Sequence, residues 1–154
     1  MVSIARIFFW GYALMLVGIG AGGIFVAGWE LPRVFHVDLA AMEAQARATL
    51  LNQYRFLKAL ELAFGLFCVC YRRAIFRRRH DLRVFLAGLS AGVAARLGSW
   101  LFDGTPRPVF LVFMALELVT GLLVWHAAWG RTEEGTQGNA QGKAQNGPVQ
   151  GESP

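Results

Sequence analysis

Residues Ile7–Trp29 read IFFWGYALMLVGIGAGGIFVAGW, 23 positions without a charge. A helix needs about 20 consecutive apolar residues to cross a hydrocarbon core ~30 Å thick. A soluble helix of this length would carry a polar face. The stretch therefore reads as a membrane span, and it sets the class of the whole chain. Arg6 ahead of it gives the look of a signal peptide. Signal h-regions run about 7–15 residues to a small-residue cleavage site, however, and this run is longer and ends in Trp29. An uncleaved span is expected, with Trp10 and Trp29 near its two interfaces. The small residues of Gly18-Ile19-Gly20-Ala21-Gly22-Gly23 would let a second helix come close.

Three further apolar runs follow, at about 53–71, 84–102 and 108–129. The chain is 55% apolar with a mean hydropathy of +0.42, above the range of an ordinary soluble domain. The expected fold is all-α: a four-helix transmembrane bundle over residues 1–130. Asp38 can cap a short outer-surface helix starting at Leu39, since 40–51 is rich in helix formers, and this helix can run on into the second span. In the third span Gly88, Gly92 and Arg96 recur at i, i+4, i+8, so backbones are expected to pack closely on that face. Gly104 suits a helix end, with Thr105 as the next N-cap and Pro106 as the first helical residue. Residues 131–154 are Gly, Gln, Asn, Glu and Ser with little that is apolar, the composition of a disordered tail.

The net charge of +5 would suggest nucleic acid only if its location were ignored. Six of the fifteen basic residues are Arg72, Arg73, Arg77, Arg78, Arg79 and Arg83, between the second and third runs. An arginine-rich connection between spans is a cytoplasmic signal, so both termini are expected on the cytoplasmic side. The partners implied are the lipid bilayer, including anionic headgroups near the arginines, and no nucleic acid. Cys68 and Cys70, two apart on a helix, point about 200° away from each other and cannot pair within it; buried small residues are expected there. His36, His80 and His126 are spread over both ends of the bundle, so neither a metal nor a cofactor is expected.

Five ionisable residues lie inside the apolar runs: Arg55, Lys58 and Glu61 in the second, Arg96 in the third, Glu117 in the fourth. Each costs about 2.5–3.5 kcal/mol at the centre of a bilayer on insertion scales, so such residues are usually paired and often functional. At 1.5 Å per residue, Lys58 and Arg96 lie roughly 9 Å from the outer face, and Glu61 and Glu117 roughly 13 Å. Tyr54 and Arg55 sit above them. Tyr54, Lys58, Glu61, Gly65 and Cys68 share one helical stripe. Two readings fit. Glu61 and Glu117 against Lys58 and Arg96 could simply brace the bundle, or with Arg55 they could line an outward pocket with one more cation than carboxylates. Such a pocket suits a small hydrophobic, anionic or quinone-like ligand. Ser90 and Ser99 have no histidine at their depth, so no nucleophile–base pair points to an enzyme.

The segments Asn52-Gln53-Tyr54-Arg55-Phe56-Leu57 with Glu61 and Gly65, and Arg96-Leu97-Gly98-Ser99 running into Asp103-Gly104-Thr105-Pro106-Arg107-Pro108 and then Glu117-Leu118, resemble the signature of a family of small bacterial four-helix membrane proteins. That family is a domain of unknown function similar to the BphX proteins. The resemblance spans about residues 5–130 and makes Asn52, Arg55, Arg96, Asp103, Gly104, Pro106 and Glu117 signature positions. Ala95 stands where the pattern leads one to expect glycine. The likeness implies a membrane fold in a bacterial inner membrane and brings no established activity with it. The expected site set is thus Asn52, Tyr54, Arg55, Lys58, Glu61, Arg96, Ser99, Asp103 and Glu117. Three functions are open: a membrane protein that binds a small ligand, a redox-enzyme anchor contacting quinone, and a small transporter. A redox anchor would co-purify with a cofactor-bearing membrane partner, whereas a transporter would work alone in liposomes.

Overall fold

A computed structural model describes the backbone of residues 2–145 and the side chains of residues 3–128. Four helices follow one another: α1 (Val2–Val34), α2 (Ala44–Ile75), α3 (Arg79–Asp103) and α4 (Pro108–Gln145). No strand occurs among the described residues. Each helix packs on the next and α4 closes back on α1, so the expected all-α four-helix bundle is the fold. The α1, α3 and α4 helices are long and apolar enough to cross a membrane. The α2 helix is not, because Arg55, Lys58 and Glu61 interrupt its apolar run.

The helices outrun the apolar stretches that announce them. α1 continues through Pro32 to Val34. The carbonyl that a residue-32 N–H would have bonded is that of Gly28, where the absence of a side chain eases the proline ring into the last turn. The helix ends where His36 adopts a left-handed φ of 54° and Val37 N–H turns back to the Leu31 carbonyl, at 3.1 Å. The short outer-surface helix does not form as a separate element. Asp38 Oδ1 accepts from the Ala40 and Ala41 amides at 3.0 and 3.2 Å, but this closes only a turn. Helix starts at Ala44 and runs unbroken into the polar stripe of α2.

The arginine-rich connection is shorter than expected, three residues from Phe76 to Arg78. Arg72 and Arg73 complete the last turn of α2, where cations oppose the negative end of the helix dipole. At the α3–α4 turn, Gly104 takes φ 100° and ψ −178°, an extended positive-φ conformation essentially confined to glycine rather than the left-handed turn of an ordinary helix end. The next helix starts at Pro108 rather than Pro106; two prolines could open it, and the later one does. α4 extends to Gln145, so residues 131–145, expected within a disordered tail, continue a helix that the span has already nucleated. Residues 146–154 of that tail lie outside the described residues.

Packing divides the bundle into two halves. At the arginine end, Phe9 meets Phe76 edge-on at 5.3 Å and Phe85 at 5.5 Å, over wholly buried Ile75 and Cys68. Cys70, two residues on, faces outward and not into the core. The closest helix approach is α1 on α2. A Cβ on Gly20 would lie 2.5 Å from the Leu62 backbone nitrogen, and one on Gly65 would lie 2.9 Å from that of Val17. The glycines of α3 serve differently: a Cβ on Gly88 would press on the Phe64 ring at 2.9 Å, whereas one on Gly92 would only touch the Glu117 carboxylate at 3.8 Å and one on Gly98 would meet open space, so side chains and not backbones lie against that face. Outward, the bundle is apolar, with Phe25, Leu101 and Phe102 each more than four-fifths exposed. Water does not tolerate such a surface over a whole bundle.

Candidate functional site

The inner stripe of α2 carries the chemistry. Lys58 is 5% exposed, and its stem lies against Gly23 of α1, where a Cβ would stand 2.6 Å from its Cδ. Glycine at 23 is therefore what admits a lysine to the bundle. Its ammonium donates to Glu61 Oε2 at 3.0 Å, one turn along the same helix, and sits 5.2 Å from the Tyr54 ring centroid. Across the bundle, Arg96 of α3 donates through Nε to Glu117 Oε2 of α4 at 3.3 Å and through Nη2 to Oε1 at 3.5 Å. This two-pronged contact is the matched geometry of guanidinium and carboxylate. The arginine also lies over the Phe110 ring at 5.8 Å.

The two pairs form the polar part of one cavity of about 580 Å³ in the half of the bundle away from the arginine turn. Its walls are apolar, with Leu16, Ile19, Leu31 and Phe35 from α1 and the turn after it facing Val109 and Phe113 of α4. Tyr54 lines it too. The Tyr54 hydroxyl is buried, lies near the Glu30 carboxylate, and completes no hydrogen bond of good geometry.

Of the nine residues singled out in the sequence, five meet here: Tyr54, Lys58, Glu61, Arg96 and Glu117. The other four do not. Arg55 turns away and donates through Nε to the Ile24 carbonyl of α1, at 3.2 Å. Asn52 is exposed and lines no part of the cavity. Ser99 donates to Asp103 Oδ2 at 2.9 Å on the exposed end of α3. Ser99 lines a neighbouring groove of about 320 Å³, separated from the cavity by the Arg96 side chain that borders both.

Glu30 is the residue missed. It looks like a loop charge if the first span stops at Trp29. In the longer α1 it falls on the inner side, one turn beyond buried Ala27 and beside Leu31. In the structure the buried series Ala5, Phe9, Tyr12, Leu16, Gly20, Gly23, Ala27 continues at the same 3–4 spacing to Glu30 and Leu31, but a run apolar on every side gives no sequence signal for which face is buried. With Glu30 in and Arg55 out, Lys58 and Arg96 face Glu30, Glu61 and Glu117. The expected excess of one cation becomes an excess of one carboxylate. Tyr12, 3% exposed and within electrostatic reach of Glu117 and Arg96, was also missed, being one aromatic in an apolar run.

The sequence profile of a domain of unknown function, DUF4345, matches residues 4–128. The chain belongs to that family. The matched segment covers all four helices up to the last residue whose side chain is described, so both ion pairs and the cavity lie inside the family domain. No curated protein matches the chain, and no solved structure does. The function of the family is unknown, and among the described residues no group of three or more histidine, cysteine or carboxylate side chains is placed to hold a metal ion.

Proposed function

We propose that the protein is a four-span inner-membrane protein of a bacterium whose cavity takes up a small amphiphilic molecule. Three helices of spanning length and an apolar exterior support the membrane part. α2 becomes the fourth span by packing between α1 and α3, which turns Lys58 and Glu61 inward onto each other. The arginines gathered at the α2–α3 turn support an orientation with that turn and both termini in the cytoplasm.

The observation that carries the ligand reading is the cavity. Ligand sites are concave, about 300–1,000 Å³, mostly apolar and set with a few polar groups. A brace would need the ion pairs but not about 580 Å³ of space beside them. The excess carboxylate and the unfilled Tyr54 hydroxyl beside Glu30 favour a neutral or cationic polar group over the anionic one that the sequence suggested. The apolar part of the ligand would lie between α1 and α4.

The test is extraction of full-length protein, purified from its native membrane in mild detergent, followed by mass spectrometry. Val109→Trp, which fills the cavity without touching an ion pair, is the comparison. A small molecule near one per protein in the wild type and depleted in the variant is expected. None in either, or equal amounts in both, would remove the ligand and leave the brace.

A further inference from the structure

At the opposite end of the bundle four guanidinium groups face one cleft. Arg6 of α1, Arg72 and Arg73 of α2, and Arg77 of the following turn line a hollow of about 300 Å³, with Trp10 on its wall. Among the described residues no carboxylate lines it. Arg6, Arg73 and Arg77 enter no ion pair among the described residues. Arg72 is held in place, donating through Nη1 to the Val69 carbonyl at 2.9 Å with its guanidinium 5.7 Å from the Trp10 ring centroid.

Helix ends explain part of this arrangement, because Arg72 and Arg73 oppose the dipole of α2. They do not explain Arg6. A cation near the start of α1, whose first turn holds no acidic residue, sits at the unfavourable end of its helix and among three like charges. An anion in the cleft would relieve both. Depth indicates which anion. Trp10 and Trp29 are separated by ~28 Å of helix, close to the ~30 Å of a hydrocarbon core. Arg6 lies roughly 6 Å beyond Trp10, at headgroup level. Trp10 and Leu14, 37% and 58% exposed and on the bilayer side of Arg6, offer apolar surface for acyl chains.

We infer that this cleft binds the phosphodiester headgroup of an anionic phospholipid. Guanidinium forks match phosphate oxygens in pairs, and basic pockets between spans at a cytoplasmic face are established sites for such headgroups. The site is separate from the cavity and does not depend on it.

The test uses full-length protein in zwitterionic detergent, following thermal unfolding during titration with phosphatidylglycerol, phosphatidylcholine or inorganic phosphate. Phosphatidylglycerol should raise the midpoint saturably, and the other two should not. Arg6→Gln combined with Arg73→Gln changes two exposed side chains and should weaken the apparent affinity about thirtyfold, from roughly fivefold per arginine. Arg33→Gln with Arg47→Gln, at the other end, should leave it unchanged. Native mass spectrometry counting phosphatidylglycerol on the folded fraction gives the same comparison if the first pair lowers the midpoint by itself. An undiminished response in that pair, or an equal loss in the control pair, overturns the site. An equal response to phosphatidylcholine overturns the headgroup, and an equal response to inorganic phosphate overturns the lipid.

Discussion

Replacing Arg96 by leucine should cost more than replacing Glu117, although the two share one ion pair. Glu117 is 7% exposed, so Arg96→Leu leaves a carboxylate inside the bundle with Glu61, a like charge, in electrostatic reach. Orphaning one member of a buried pair costs about 3–5 kcal/mol. The 3.3 and 3.5 Å contacts are on the long side for a charged pair, and the Arg96 side chain is 30% exposed. These place the loss toward the lower limit, about 3 kcal/mol. Glu117→Leu strands an arginine that keeps the Phe110 ring and a groove open beside it, so about 1–2 kcal/mol is expected. The double variant leaves no orphan and should lie within about 1 kcal/mol of wild type, a coupling of about 3–5 kcal/mol. Reversible unfolding of the four proteins in mixed detergent micelles measures all of these terms. Additive single losses, or a larger loss for Glu117→Leu, would refute the reasoning from burial and take the shared charge layer with it.

Gly20→Ala should destabilise the bundle by about 1–3 kcal/mol in the same assay, because its new methyl meets the α2 backbone and has nowhere to go. Gly18→Ala and Gly22→Ala, with open space around them, should be neutral or stabilising by up to about 1 kcal/mol. Lys58→Met should cost less than Arg96→Leu, about 1–2 kcal/mol, because the carboxylate it orphans, Glu61, keeps 23% of its side chain exposed against 9% for Glu117. Lys58→Leu with Glu61→Leu should raise the insertion efficiency of an isolated α2 segment in a translocation assay, since two costly residues are gone. Single cysteines at positions 40 and 104 should label from outside the cell and one at 78 should not; labelling of 78 from outside would reverse the proposed orientation.

The class of the fold was legible from residues 7–29 alone, because crossing hydrocarbon without charge leaves a helix no other surroundings. The common depth of Lys58, Glu61, Arg96 and Glu117 was legible too, since a fixed rise per residue converts position into height. The small-residue patch of α1 announced a close contact but not which glycine makes it. Gly20 and Gly23 meet α2, while Gly18 and Gly22 face open space. Only the rotation of one helix about its axis decides that. Helix ends were the other gap. Stopping α1 at the last apolar residue hid Glu30, because helices propagate past the residues that nucleate them, and starting α4 at Pro106 misplaced its cap, because either proline suits a first helical position. The Lys58–Glu61 pair, three apart on α2, was legible from spacing, whereas the Arg96–Glu117 contact between helices and the departure of Arg55 from the site were decided by the tertiary structure. Arg55 and Lys58 differ by three positions on α2, yet one reaches a backbone carbonyl of α1 and the other a carboxylate inside the bundle. Periodicity tells which side of a helix a residue occupies; what a long side chain finds there depends on the neighbouring helix. Here a missing side chain at Gly23 opened the way for Lys58, and the turn of α1 brought Glu30 over the cavity.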